Sequence, residues 1–214
     1  MDEEIAIINN NTRSEKIRNF FTSNKKKIIT YISLVILIIF GYFFYNDIKK
    51  KNKVEIANKY NVATINFTLG KKEKVKEELV KLIKKKNETY SPLALYFLID
   101  NNIVSEKEEI NKLFNIIINE TKLEKEIKNL IIYKKALFNS NFVTENELIM
   151  ILKPLINSES IWSSHALYLI AEFFHSKDET SKAKEFYSKI IIIKNGNPNI
   201  VEMAQRRLNR ELSE

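Results

Sequence analysis

From Ile28 to Asn46 the chain carries no charged residue. At about 1.5 Å per residue, such a run covers roughly the hydrocarbon thickness of a bilayer. Ile, Leu, Val and Phe fall on every side of a helix built from it, leaving no polar stripe for water. Tyr31 near one end, and Tyr42 and Tyr45 near the other, suit the two interfaces, where a ring with a polar tip settles. Lys25, Lys26 and Lys27 close one side, and Lys49, Lys50, Lys51 and Lys53 close the other. A cleaved signal sequence fits poorly. The stretch before the run holds Asp2, Glu3, Glu4 and Glu15, and the run ends in the bulky "GYFFYND" without a small-x-small site. The reading is a retained transmembrane helix, Ile28 to Asn46, with a fully buried core helix as its competitor.

The net charge of +8 is unevenly placed. Residues 1–46 sum to +2, residues 47–86 to +8 and residues 87–214 to −2. A nucleic-acid binder is expected to spread positive charge over a folded face. A basic stretch abutting an apolar run instead suits anionic lipid head groups, so Lys49, Lys50, Lys51 and Lys53 are assigned to a lipid surface and no nucleic acid is expected. The near flanks hold Arg13, Lys16, Arg18 and Lys25–Lys27 on one side, and Lys49–Lys51, Lys53 and Lys59 on the other. The positive-inside rule therefore leaves the orientation close to a tie.

With Gly 3 and Pro 3 in 214 residues, breakers are too few for a turn-rich β architecture. The fold class is all-α. Amphipathic helices are predicted near 54–69, 72–86, 91–101, 105–119, 123–139, 144–157, 161–176, 179–194 and 199–212. Ser91 before Pro92 reads as an N-cap, and Ser105 with Glu108 and Thr144 with Glu147 read as capping boxes. The organisation expected is a tail (1–27), a transmembrane helix (28–46), a basic connector (47–53) and a helical domain (54–214).

An internal period runs through that domain. Ala63, Gly70, Val75, Leu79 and Leu82 recur as Leu98, Ser105, Ile110, Phe114 and Ile117. They recur again as Ala136, Val143, Leu148, Leu152 and Leu155, and as Ala171, Asp178, Ala183, Tyr187 and Ile190. The successive shifts are 35, 38 and 35 residues. The first residue of each set lies on one helix and the last three on the next, which describes stacked helical hairpins. Small side chains such as Ala63, Ala136, Ala171 and Ala183 let paired helices approach.

The fourth unit, "ALYLIAEFFHSKDETSKAKEFYSKIIIIKNGNP" (166–198), resembles a tetratricopeptide repeat, with Ala171, Phe174, Asp178, Ala183, Tyr187 and Pro198 in roughly the family order. It departs in that Pro198 comes about three residues late, and Gly70 is the only turn glycine. The implied fold is one transmembrane helix followed by a tetratricopeptide-like α-solenoid of about four hairpins and a C-terminal capping helix.

The whole layout is also similar to the ancillary SecYEG translocon subunit family. The likeness is clearest in "IWSSHALYLIAEFF" and in "FYSKIIIIKNGNPNIVEMAQRRLNREL", with Trp162 opening the last repeat and Ala204, Arg207 and Leu208 in the final helix. That resemblance implies a bacterial inner-membrane protein, single-pass, with a cytoplasmic N-terminus and a periplasmic repeat domain. It implies association with the Sec translocon, with periplasmic folding factors or with client segments, and no enzymatic activity. A structural envelope scaffold for cell-division or outer-membrane assembly factors is the alternative on the same fold.

Little in the chain points to chemistry. Cys 0 removes thiol catalysis and thiolate metal sites. His165 and His175 lie ten residues apart on one helix, roughly on opposite sides, and so share no metal. No cofactor, metal, catalytic residue or small-molecule substrate is expected. Tyr60, Tyr96, Phe97, Tyr133 and Tyr168 on the first helices of the hairpins are candidate groove aromatics, with the core as their other destination. Trp162 is expected to anchor packing between repeats.

Overall fold

The computed structural model describes residues 15–211, and among them the chain is helical with no strand. Asp2, Glu3, Glu4 and Arg13 lie outside the described residues. Residues 15–23 are helical, and after them come α1 (Lys25–Thr68), α2 (Lys72–Ile83), α3 (Tyr90–Asp100), α4 (Lys107–Glu120), α5 (Lys125–Asn139), α6 (Glu145–Ile156), α7 (Trp162–His175), α8 (Thr180–Ile191) and α9 (Pro198–Glu211). Two compact units divide between Glu55 and Ile56.

In the first unit, no residue from Ile28 to Asn46 is buried, and Leu37 and Phe40 are 69% and 70% exposed. A core helix would have these side chains covered by protein. The helix is long and apolar enough to cross a membrane. Residues 47–53, expected as a connector, are also helical: Asp47 and Ile48 are followed by lysines without a Gly or Pro, and Lys51 pairs with Asp47 at 2.8 Å.

The second unit is a stack of four hairpins closed by α9. The last part of α1 pairs with α2, α3 with α4, α5 with α6, and α7 with α8. Every repeat position assigned inward is buried: Ala63, Leu98, Ala136 and Ala171 on the first helices, and the twelve apolar residues from Val75 to Ile190 on the second. Among the described residues α7 and α8 are the most closely packed pair, and there both facing positions are alanine, Ala171 and Ala183. Two core clusters result. Ile131 belongs to the N-terminal one and its neighbour Ile132 to the C-terminal one, so α5 serves both.

Three of the first helices end alike. At Gly70 (φ 77°), Asn102 (φ 47°) and Asp178 (φ 60°) the chain turns left-handed. In each case the next amide reaches back to a carbonyl five residues earlier: Lys71 to Asn66, Ile103 to Leu98 and Glu179 to Phe174. This is the Schellman termination, which satisfies carbonyls that the helix end leaves open. Only Gly70 has no Cβ; Asn102 and Asp178 belong to the small set of side chains that tolerate this region.

The starts of the second helices vary. Thr144 and Glu147 form the expected capping box, with the Thr144 N–H donating to Glu147 Oε2 at 2.8 Å and the Glu147 N–H to Thr144 Oγ1 at 3.4 Å. Ser105 forms none. Helix α4 begins after an extended Glu106 with no side-chain cap, because the chain enters one residue past Ser105. Ser91 is not an N-cap either. It is buried in the first turn of α3, where its Oγ accepts the Asn87 N–H at 2.9 Å and donates to the Ile83 carbonyl at 3.2 Å. Asn87 Oδ1 does the capping, accepting the Thr89 and Tyr90 N–H groups at 3.0 and 2.9 Å.

Enlarging the tightest contact should therefore be costly. Ala183→Leu is expected to destabilise the domain by about 1–3 kcal/mol through overpacking. Asp178→Gly is expected to stabilise it by up to about 1 kcal/mol, since glycine pays no Cβ penalty there. Urea midpoints followed by circular dichroism measure both.

Candidate functional site

The first helices carry the candidate aromatics, and all five rings are half-buried against the two core clusters. Tyr60 meets Tyr90 at 5.7 Å and Phe97 at 6.3 Å, while Phe97 meets Phe67 at 5.3 Å. Tyr96 keeps its hydroxyl buried without a hydrogen-bond partner, and burial, with the Asp100 carboxylate, pushes its pKa up to about 12. Tyr133 stacks on Trp162 at 5.6 Å, with His165 against both, and Tyr168 packs on Tyr187 at 5.7 Å. The structure thus joins Tyr60 to Phe97 and places Tyr133 and Tyr168 in separate groups. Aromatic pairs at these separations contribute about 0.5–1.5 kcal/mol each beyond their buried area.

Lys49, Lys50, Lys51 and Lys53 are all exposed on α1.

The open surface relief lies elsewhere, along the second helices. One shallow depression of about 450 Å³ is lined by Asn111 of α4, Lys135 and Asn139 of α5, Val143, and Asn146, Glu147, Met150 and Ile151 of α6. A second, of about 460 Å³, is lined by Asn146, Ile149, Met150, Lys153 and Ile156 of α6, Asn157, and Phe186 of α8. Asn146 and Met150 belong to both, and Met150 is 69% exposed. A reciprocal amide pair builds one wall: Asn111 Nδ2 donates to Asn139 Oδ1 at 2.9 Å, and Asn139 Nδ2 to Asn111 Oδ1 at 2.8 Å. Lys135 Nζ donates to Asn115 Oδ1 at 2.8 Å, and burial lowers its pKa. From the sequence, Val143 was read only as a repeat position and Glu147 only as a capping-box partner, and the other lining residues were not singled out. The signal available was Met150 itself, which lies roughly 200° around the helix from the inward Leu148 and so leaves an apolar side chain on the polar face.

The profile of the tetratricopeptide repeat-like domain matches residues 18–126, just over half of the chain. The chain belongs to the tetratricopeptide repeat-like domain family. No curated protein and no solved structure matches it. The family match takes in the apolar run and the first two hairpins. In the third and fourth hairpins the tetratricopeptide repeat-like character rests on the continued period and on the buried positions that follow it.

The tetratricopeptide repeat-like stack is closed at its C-terminal end by a polar network. Arg207 of α9 donates from Nε and Nη2 to Glu172 of α7 at 2.9 and 2.8 Å, a two-point clamp, and the Tyr187 hydroxyl of α8 donates to the same carboxylate at 2.7 Å. Burial by itself would raise the Glu172 pKa. The hydrogen bonds from Tyr187 and Tyr168, together with the Arg207 charge, overcome it and hold the carboxyl below its ordinary value. Glu147 is also held low, by the Thr144 N–H and hydroxyl of its capping box. Both carboxylates are kept ionised as hydrogen-bond acceptors, a structural use. Among the described residues no three His, Asp or Glu side chains converge as metal ligands would. Tetratricopeptide repeat-like folds are typically non-catalytic and generally mediate protein–protein interaction, and the family match suggests an interaction scaffold.

The network ties three helices together, so its loss should be measurable. Arg207→Ala leaves Glu172 half-buried with one clamp missing and is expected to cost about 1–3 kcal/mol. Because the folded-state pKa of Glu172 is depressed, its contribution is present above the ordinary carboxyl pKa and disappears as pH falls through the depressed value. Urea midpoints of the wild type should therefore drop between neutral and acidic pH, and Glu172→Gln should flatten that drop.

Proposed function

We propose that this protein is a membrane-anchored interaction scaffold ancillary to the Sec protein-export translocon. In this reading residues 1–27 form a cytoplasmic tail, 28–46 the transmembrane helix, 47–53 a basic connector and 54–214 the periplasmic repeat domain. The observation that carries it is the helix Lys25–Thr68, whose uncharged stretch has no protein cover and which continues into the first hairpin of the repeats. The family match supports retention, because one match running through residues 18–126 includes both the apolar run and the repeats. The resemblance of the C-terminal stretch to the ancillary translocon subunits supports the Sec assignment and the orientation.

Physically, the anchor converts encounters near the channel into local ones, so each contact with an emerging segment or a folding factor can be weak. Lys49, Lys50, Lys51 and Lys53 hold the chain against anionic head groups, at roughly 1 kcal/mol per side chain. The half-buried aromatics Tyr60, Tyr96, Phe97, Tyr133 and Tyr168 present their exposed edges to protein partners.

Two measurements test the proposal. The full-length chain should stay in the membrane after alkaline carbonate extraction, with its C-terminus digested by protease in spheroplasts and protected in intact cells. Sec components should copurify with it in mild detergent. Recovery in the soluble fraction, or a C-terminus protected in spheroplasts, overturns the topology; reproducible absence of Sec components overturns the assignment.

A further inference from the structure

We infer that one edge of the repeat domain, the edge carrying the turns α2–α3, α4–α5, α6–α7 and α8–α9, docks on the surface of an anionic bilayer. The inference rests on the transmembrane reading and not on the Sec assignment. To the lysines of the connector it adds a lipid contact made by the folded domain itself.

The four turns belong to one continuous edge. Tyr60, one helical turn after the second unit begins at Ile56, meets Tyr90 at the start of α3. Lys86 pairs with Glu120 at 2.7 Å, which joins the ends of α2 and α4. Ser160, just before α7, donates from Oγ to Glu126 in the first turn of α5 at 2.6 Å. The Asn197 N–H, between α8 and α9, donates to Ser164 Oγ in the first turn of α7 at 3.0 Å. The opposite edge is tied separately, by Lys76 on Glu109 at 2.8 Å and by Lys182 on Glu145 at 2.9 Å. The chain therefore enters the domain at the edge of these four turns. Ile56 follows Asn46 by ten residues, a reach of at most about 35 Å however the chain runs.

Charge separates the two edges. Taking each turn with one helical turn on either side, residues 80–93, 117–128, 153–165 and 188–201 sum to +5. On the opposite edge, residues 65–75, 97–110, 136–148 and 172–183 sum to −4. The acids of the basic edge, Glu88, Glu120, Glu124, Glu126 and Glu159, are inside that sum. Lys84, Lys85, Lys122, Lys125, Lys128 and Lys194 are all exposed there and form no ion pair among the described residues. Helix dipoles do not account for the excess. The second helices end at this edge, which favours cations, but the first helices start there, which favours anions, and Lys125 and Lys128 sit in the first turn of α5 against that preference. Exposed apolar side chains occur on both edges, Ile161 and Ile192 on this one, Leu69 and Phe142 on the other, so apolar exposure does not choose between them. The charge does. Its complement is an anionic surface, and a bilayer is within reach of every copy of the chain, whereas an acidic protein must be recruited.

The chain has no cysteine, so one introduced cysteine is a unique labelling site. A fluorophore is placed through Asn195→Cys on the basic edge, or through Asn141→Cys in the α5–α6 turn of the opposite edge, both exposed. The full chain is set in nanodiscs of phosphatidylcholine, with or without phosphatidylglycerol, containing a lipid whose spin-labelled head group quenches the fluorophore. The label at 195 should be quenched about threefold more strongly with phosphatidylglycerol than without. That difference should vanish at about 0.5 M salt, and the label at 141 should show none. Lys84→Gln, Lys85→Gln, Lys122→Gln and Lys125→Gln together should abolish it, each lowering the docked-to-undocked ratio about fivefold. Lys71→Gln with Lys72→Gln, on the opposite edge, should leave it unchanged. Equal quenching at 195 in both lipids, quenching indifferent to salt, or the same lipid dependence at 141 overturns the docking. The lipid and salt arms keep every lysine, so they decide even if the fourfold variant fails to fold. A label at 195 indifferent to lipid, with a copurifying protein lost from the fourfold variant, would give the edge to an acidic protein partner and overturn the lipid contact. Retention in carbonate-washed membranes without lipid dependence would remove the docking and leave the transmembrane reading standing.

Discussion

No hairpin of this domain can bury its apolar face alone, and everything else in the fold follows from that. At the repeating positions alone, each contributes one inward side chain from its first helix and three from its second, and α3 and α7 bury further residues such as Leu95 and Ile170. Only the neighbouring hairpin completes their cover. Where both facing positions are small, at Ala171 and Ala183, the helices close most tightly. After the fourth hairpin, α9 takes that role. It inserts Ala204 and Leu208 into the core and holds its own position through the Arg207 clamp on Glu172. The rest of its surface is mostly polar, with Met203 exposed, as suits a terminal cap.

Much of this architecture was legible in the residues. The inward positions follow from helical period alone, because burial of alternate turns is a local property of an amphipathic segment, and apart from the start of α1 the helix limits follow within a few residues. The Thr144–Glu147 capping box was legible for the same reason, being contained within four residues. Ser105 and Ser91 show the limit of local signals. A capping pattern needs the backbone to enter at the right angle, and that angle is set by how the preceding helix docks. At Ser91 the buried hydroxyl is drawn to the end of α2 instead.

The surface was less legible. The aromatics Tyr60 and Phe97, 37 residues apart, meet each other and two further rings, Tyr90 and Phe67, a cluster that only the stacking of α1 on α3 creates. The depressions beside Met150 draw on α4, α5, α6 and α8 together, so no single stretch announces them. Glu172, Tyr187 and Arg207 likewise converge from three helices. Their residue types are unremarkable in sequence; their value comes from partial burial, which makes one carboxylate shared by three donors worth keeping ionised.

Helix α5 has a particular standing, since Ile131 faces one cluster and Ile132 the other. Adjacent residues on a helix point about 100° apart, so a single rigid element is wedged between two cores without being the centre of either. Opening of either half must begin by giving up one side of α5 while the other still grips it. Amide exchange in the two halves would then separate into distinct cooperative blocks, with α5 retaining the slowest protons of both.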